Sequence, residues 1–156
     1  AGRTDSNLWW NDTEPTDTVF TIGTSNDVNG SSDYIAYCFA EVEGFSKFGS
    51  YESNNSTNGP YVWLGFRPAF VICKDVDRNA MTWIQHDTGR SPYNAATNSL
   101  APNNTNAEPY DTASPIDILS NGFKLRGGSS SYNNYLTETY IYIAFAETPF
   151  KYANAR

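Results

Sequence analysis

An internal repeat constrains the fold of this chain more than any other feature. The segment YIAYCFAE at residues 34–41 matches YIYIAFAE at residues 140–147, with Tyr, Ile, Phe, Ala and Glu at the same offsets. In both copies, apolar side chains point to both sides of an extended chain, which is typical of a strand covered on both faces. The repeat therefore predicts two related central strands in the core of a β protein.

The likeness continues on either side of these two segments. VEGFSKF follows the first copy and TPFKY the second, while WNDTEPTDTVFTIG upstream resembles PYDTASPIDILSNGFKL. Two strand-turn-strand units, each with an apolar face to bury, are expected to build a two-sheet sandwich. The predicted fold is an all-β sandwich, jelly-roll or lectin-like, with little or no helix, in one domain over residues 1–156. Residues 1–60 read as a truncated first repeat and residues 61–156 as a fuller second one, so we expect a fragment of a longer protein.

Composition and turn chemistry favour the same class. Only 17% of the residues are charged and 15% are aromatic, whereas helix surfaces are normally rich in Glu, Lys, Gln and Arg. The clusters SNDVNGSSD, ESNNSTNGP and GGSSSYNN supply the residues that tight hairpin turns need. The predicted strands are residues 18–22, 34–42, 45–49, 61–66, 69–74, 81–86, 122–126 and 139–146. Trp63 and Trp83 fall inside these runs and are predicted to lie in the core. Residues 87–115 form a long loop that either is functional or hides a short strand near residues 99–101.

The charge and the apolar runs exclude two classes of partner. A formal charge of −7 and a pI near 4.5 repel phosphate backbones and anionic lipid, so nucleic acid is not expected as a partner. The longest apolar run, at residues 140–146, is far shorter than the ~18 residues that a bilayer span needs. We therefore expect no membrane insertion.

Asp75, Asp77 and Asn79 have the alternating spacing of the first oxygen ligands in a calcium loop. The pattern then fails, because Ala80 stands where such a loop has glycine and His86 where it has a bidentate Glu. The alternative is a solvated turn between two strands. Calcium at these three residues is the one cofactor that the sequence suggests.

Candidate catalytic groups are few. Glu41 and Glu43 share a strand face, as an acid and base pair would, but the repeat keeps only the first of them. His86 is the only histidine and no nucleophile motif accompanies it. The chain is therefore predicted not to be an enzyme. Cys38 and Cys73 read as small buried side chains, with a disulfide between them as the alternative.

Loop tyrosines and asparagines are the candidate ligand-binding residues. Tyrosine rings can stack on sugar faces while amides bond the hydroxyls, and loops carry binding more often than strands do. The residues selected on this basis are Tyr93, Asn94, Asn104, Tyr110, Tyr132 and Tyr135.

Four strings together resemble one known kind of domain. They are YIAYCFAEVEGFSKFGSY, NGPYVWLGFRPAFVICK, DILSNGFKLR and the terminal TYIYIAFAETPFKYANAR. They are similar to an uncharacterised C-terminal domain of tail-fibre and other virion structural proteins of marine bacteriophages. The resemblance covers nearly the whole chain, and from it we expect that this chain begins partway into the domain. It implies an all-β fold, a virion or extracellular location, and a structural or host-adhesion role without a catalytic motif.

Two hypotheses of function follow. The first is a non-enzymatic structural and adhesion module of a phage fibre, tail or capsid appendage. It assembles with copies of itself or with other virion proteins, because an unpaired strand edge is a template for a strand of the next chain. It also contacts host-surface polysaccharide. The long loop at residues 87–115 would then face a receptor or a sister subunit. The alternative is a monomeric, lectin-like carbohydrate-binding module.

Overall fold

The computed structural model describes residues 7–108 and 110–148, which divide into two compact units, residues 7–39 and residues 40–148. The first unit holds two four-residue helices, α1 (Asn7–Trp10) and α2 (Asn26–Asn29). Ser25 caps α2, since its hydroxyl accepts a hydrogen bond from the Asp27 N–H at 3.2 Å. Among the described residues, neither helix has the length and apolar character that crossing a bilayer takes.

The second unit confirms the all-β prediction. Its seven strands form two antiparallel sheets, one in the order β1-β7-β3-β4 and the other in the order β2-β6-β5. The strands are β1 (Ser46–Glu52), β2 (Tyr61–Trp63), β3 (Pro68–Asp75), β4 (Ile84–Asp87), β5 (Ile116–Leu119), β6 (Gly122–Leu125) and β7 (Thr139–Ala146).

The second copy of the repeat is the central strand that the sequence predicts. β7 lies between β1 and β3, with Tyr140 opposite Tyr51 on one side and opposite Asp75 on the other. Along β7, Tyr140, Tyr142 and Ala144 are buried, whereas the alternate residues are half-buried. The strand therefore turns one face into the core and leaves the other partly covered.

The core lies between the two sheets. Tyr51 stacks on Tyr140 with ring centroids 5.2 Å apart, and Phe123 of the opposite sheet meets Tyr51 edge-on at 6.2 Å. Alternate residues of both sheets contribute to this layer. They are Tyr51, Val71, Cys73, Ile84, Tyr140, Tyr142 and Ala144 from the four-stranded sheet, and Val62, Ile116, Ile118, Phe123 and Leu125 from the three-stranded sheet.

The prediction for the first copy of the repeat is wrong. No strand forms at residues 34–41, and Ile35 and Tyr37 are 80% and 81% exposed. Pairing in this region is limited to a single bridge between Val42 and Ser46, just before β1. An apolar alternating pattern makes a strand possible, but a strand also needs neighbours for its backbone donors and acceptors. The duplication in sequence is not matched by two central strands.

Other strand predictions differ in detail. Residues 18–22 form no strand, β2 ends at Trp63, and β5 lies in a stretch that we assign to no strand from sequence. In the long loop, the short strand expected near residues 99–101 is one bridge, Gln85 with Leu100. Trp63 is 58% exposed rather than buried, because its ring lies on the sheet surface under the Lys47 ammonium, 4.3 Å from the ring centroid.

Candidate functional site

An open cleft of about 420 Å³ lies where the turn after β3 meets the loop between β6 and β7. Its volume is within the usual range for small-ligand sites, roughly 300 to 1,000 Å³. Hydroxyl, aromatic and guanidinium groups line it. The lining residues are Arg78, Ala80, Met81, Thr82, Ser129, Ser130, Ser131, Tyr132 and Tyr135.

Asp75 fixes the turn that carries Arg78 to the cleft. Its side chain is fully buried at the end of β3, and its Oδ1 accepts hydrogen bonds from the N–H groups of Asp77 (2.9 Å) and Arg78 (3.0 Å). Its Oδ2 accepts from the Arg78 Nε at 2.6 Å. One carboxylate thus satisfies the turn backbone and orients the guanidinium at once.

Arg78 is also held from the cleft side. Its guanidinium carbon lies 4.2 Å from the centroid of the Tyr135 ring, and its Nη2 donates to the Tyr140 hydroxyl at 3.3 Å. Partial burial works to lower the pKa of Arg78, but the Asp75 carboxylate outweighs it and raises that pKa above its ordinary value. The cleft therefore carries a rigid, permanently charged guanidinium stacked on an aromatic ring.

Tyr132 forms the opposite part of the wall together with a second tyrosine behind it. The rings of Tyr110 and Tyr132 have centroids 5.5 Å apart, and the Tyr110 hydroxyl lies 3.5 Å from the Thr82 hydroxyl. A hydrogen bond with Tyr110 raises the pKa of Tyr132. The Tyr132 phenol is thus protonated at neutral pH and can donate as well as accept hydrogen bonds.

Two buried asparagines hold the loop that presents these tyrosines. The Asn133 Nδ2 donates to the Ser114 carbonyl at 2.7 Å. The Asn134 Nδ2 donates to the carbonyls of Gly127 (2.7 Å) and Ser56 (2.8 Å). These buried hydrogen bonds tie the loop to the β5 and β6 ends and to residue 56.

The structure brings together three of the six residues predicted to bind a ligand. Tyr132 and Tyr135 line the cleft, and Tyr110 packs against Tyr132. The sequence prediction did not include Arg78 or the serines at residues 129–131. From sequence, the DVDRN string at residues 75–79 predicts a cation loop or a solvated turn and GGSSSYNN predicts a turn, and neither pattern predicts a cleft wall.

The other three predicted residues lie elsewhere and have different roles. Tyr93 is 84% exposed and does not line the cleft. Asn94 bonds the backbone of Ile118 in β5, accepting from its N–H at 2.8 Å and donating to its carbonyl at 2.9 Å. Asn104 accepts from the Asn106 N–H at 3.0 Å within a turn.

The candidate calcium ligands face different partners. Both oxygens of Asp75 accept hydrogen bonds from the chain itself, and the Asp77 Oδ2 accepts from the Thr139 N–H at 2.7 Å. Within residues 7–108 and 110–148, no three His, Cys, Asp or Glu side chains form a group that could hold a metal ion. Asp75 thus serves the turn itself, and calcium at Asp75, Asp77 and Asn79 stays a prediction.

The groups considered for catalysis are placed unfavourably. His86 is fully buried, and neither ring nitrogen has a well-formed hydrogen bond in the described chain. Burial lowers its pKa to about 4, so the ring is neutral and out of reach of a substrate. The Glu41 carboxylate accepts from the Phe48 N–H at 3.0 Å, which is a structural role.

The two cysteines are not linked. Cys38 is exposed, contrary to its prediction as a buried side chain, and Cys73 is buried as predicted. Burial raises the pKa of Cys73 to about 12. The disulfide considered from sequence is absent between these two described residues.

Comparison with known proteins identifies a family for this chain. No curated protein and no solved structure matches this chain. A family model described as "Domain of unknown function (DUF7483)" matches residues 1–149. Because the match covers nearly all of the 156 residues, the chain belongs to the DUF7483 family of domains of unknown function.

Proposed function

We propose that this chain is a non-enzymatic structural and adhesion module of a bacteriophage virion, part of a fibre, tail or capsid appendage outside the host cell. In this role it assembles with copies of itself or other virion proteins and binds host-surface polysaccharide. The virion assignment rests on the resemblance of its four motif strings to phage tail-fibre domains. The binding assignment rests on the cleft.

The observation that supports glycan binding is the chemistry of the cleft wall. Tyr132 and Tyr135 offer apolar ring faces next to the hydroxyls of Ser129, Ser130 and Ser131. A sugar ring has an apolar C–H face and a rim of hydroxyls, so it suits a wall that offers aromatic faces with hydrogen-bonding groups around them. Arg78 adds a donor that remains protonated at any physiological pH.

Calorimetric titration with purified surface polysaccharides of candidate marine hosts tests this proposal. Wild-type protein is expected to bind, and Tyr132→Ala to weaken binding at least about fivefold, since loss of a central aromatic contact costs more than ~1 kcal/mol. Tyr93→Ala is the matched control, because it removes an exposed loop tyrosine outside the cleft. Equal affinity of wild type and Tyr132→Ala would rule out this cleft as the glycan site.

A monomeric carbohydrate-binding module is the second candidate, and the covered sheet edges favour it. Leu100 pairs with the edge of β4, and Ala96 with that of β5. Such short covering segments prevent strand pairing between molecules. The two candidates share the cleft and differ in assembly, so light scattering after size exclusion at increasing protein concentration separates them.

A further inference from the structure

The outer edge of β1 is only partly covered. Val42 and Ser46 bond each other twice through the backbone, at 3.3 and 2.9 Å, and the Glu41 carboxylate takes the Phe48 N–H. Since alternate residues of a strand point their backbone groups to the same side, Ser50 also faces this edge. In the described part of the chain, no backbone partner covers the edge at Ser50.

The outer edges of β4 and β5 are covered more fully than the outer edge of β1. The N–H and carbonyl of Gln85 in β4 both bond Leu100, at 2.9 and 3.0 Å. Those of Ile116 in β5 both bond Ala96, at 3.2 and 2.7 Å. The fourth edge, β2, has only three residues. The second half of β1 is therefore the edge best suited to accept another strand.

Residues 34–39 have the sequence pattern of a β-strand but belong to no sheet in the structure. They repeat the start of β7, the strand that pairs along the full length of β1 on its inner side. The structure forms no strand over these residues, and Ile35 and Tyr37 are 80% and 81% exposed. An exposed segment with the pattern of a central strand is suited to adding to a free strand edge.

We propose that residues 34–39 of one copy add as a further strand to the Ser50 half of β1 in a second copy of this chain. Two copies can exchange these segments reciprocally, which gives a closed dimer with two-fold symmetry. Each copy then covers the open edge of the other and partly buries the exposed Ile35 and Tyr37. The inference rests on the self-assembly in the proposed function and names the segment and the edge that perform it.

Light scattering and hydrogen exchange on the full chain, over a hundredfold range of concentration, test the proposal. We expect a monomer to dimer transition, with amides of residues 34–39 and of the Ser50 region gaining protection together as the dimer forms. Tyr37→Pro removes a ladder N–H in a segment without regular structure, so it should keep the sandwich folded and abolish both effects. The circular dichroism and thermal midpoint of the variant check that it is folded.

Tyr37→Lys and Tyr93→Lys form a matched pair, because the same change is made at two tyrosines of similar exposure. Only Tyr37→Lys is expected to weaken the dimer, since a lysine on an added strand opposes pairing. A dimer that leaves residues 34–39 unprotected, or that survives Tyr37→Pro, would overturn strand addition while keeping self-assembly. A monomer at every concentration would overturn both.

Discussion

The Asp75 carboxylate holds Arg78 by a 2.6 Å hydrogen bond from Nε, and it accepts the Arg78 backbone N–H at 3.0 Å as well. The carboxylate is fully buried, whereas the guanidinium is 26% exposed at the cleft. One ion pair therefore joins the core to the cleft: its buried partner stabilises the turn, and its partly exposed partner lines the cleft.

Asp75→Ala is expected to destabilise the protein by about 2 to 3 kcal/mol, less than for a wholly buried pair because Arg78 keeps some contact with water. The loss arises from the two turn N–H groups and the guanidinium that are left without their acceptor. Urea unfolding followed by tryptophan fluorescence measures it.

Asp117→Ala is the control for this change. Asp117 pairs with Arg126, but both side chains have more exposure than Asp75, at 14% and 42%. Solvent screening limits such a pair to about 0 to 1 kcal/mol. Similar losses in the two variants would contradict the role assigned to Asp75.

Asn134→Ala is expected to destabilise the chain by about 2 to 3 kcal/mol and to weaken glycan binding. Its amide joins the loop of Tyr132 and Tyr135 to Ser56, Gly127 and Asn54. Truncation removes the donor to the carbonyls of buried Gly127 and half-buried Ser56, and the acceptor of the Asn54 N–H. Unfolding in urea and calorimetric titration measure the two effects.

Asn104→Ala serves as the control for the loop asparagine, because Asn104 is exposed and bonds only within its own turn. We expect a change in stability below ~1 kcal/mol and unchanged binding. If Asn134→Ala bound as well as wild type, the asparagine would not be needed to position the tyrosines.

The sequence pattern predicted a strand correctly where partner strands pair with the segment, and wrongly where no partner strand does. Residues 139–146 show apolar side chains on both faces, and the structure forms β7 at those bounds. Residues 34–41 carry nearly the same letters and form no strand. Pattern alone cannot separate the two, because the difference lies in the partners available to the backbone. β5 was missed because its four residues follow Pro115 at the end of a long polar loop.

The candidate site was also predictable only in part, because local sequence patterns do not show which residues the fold brings together. The tyrosines stand out because they lie in polar loops, and three of them meet at one cleft. Arg78 does not stand out, since its position depends on the buried Asp75 three residues earlier. Tyr93, Asn94 and Asn104 have the same local signal as the cleft residues, so only the folding of the long loop separates them.

The two thiols are expected to differ sharply in reactivity. Cys38 is exposed, whereas burial raises the pKa of Cys73 to about 12, and the thiolate is the reactive form. Iodoacetamide at pH 8 should therefore add one group to the native protein and two to the urea-unfolded protein, as read by intact mass. Cys38→Ser should remove the native adduct and keep the second, and a rapid double adduct on native protein would contradict the burial of Cys73.

Stability is expected to fall as the pH drops from 7 to 5, because of His86. Burial lowers the pKa of His86 in the folded chain to about 4. The neighbouring Ser114 backbone and the carboxylates of Asp111 and Asp87 favour the charged form, but burial outweighs them. The unfolded chain binds the proton below its ordinary pKa of 6.5 while the folded chain does not. The stability that His86 contributes is thus complete above that pKa and is lost as the pH falls toward 4. About 2 kcal/mol should disappear between pH 7 and pH 5.

His86→Leu isolates this effect, because His86 is the only histidine and the substitution keeps every carboxylate in place. Leucine also suits a site in which neither ring nitrogen has a well-formed hydrogen bond among the described residues, so the variant should fold. Urea unfolding at pH 7, 6 and 5 should give a falling free energy of unfolding for wild type and a nearly constant one for the variant. Equal pH slopes in the two proteins would mean that His86 takes up its proton in the folded state, and that water reaches its ring.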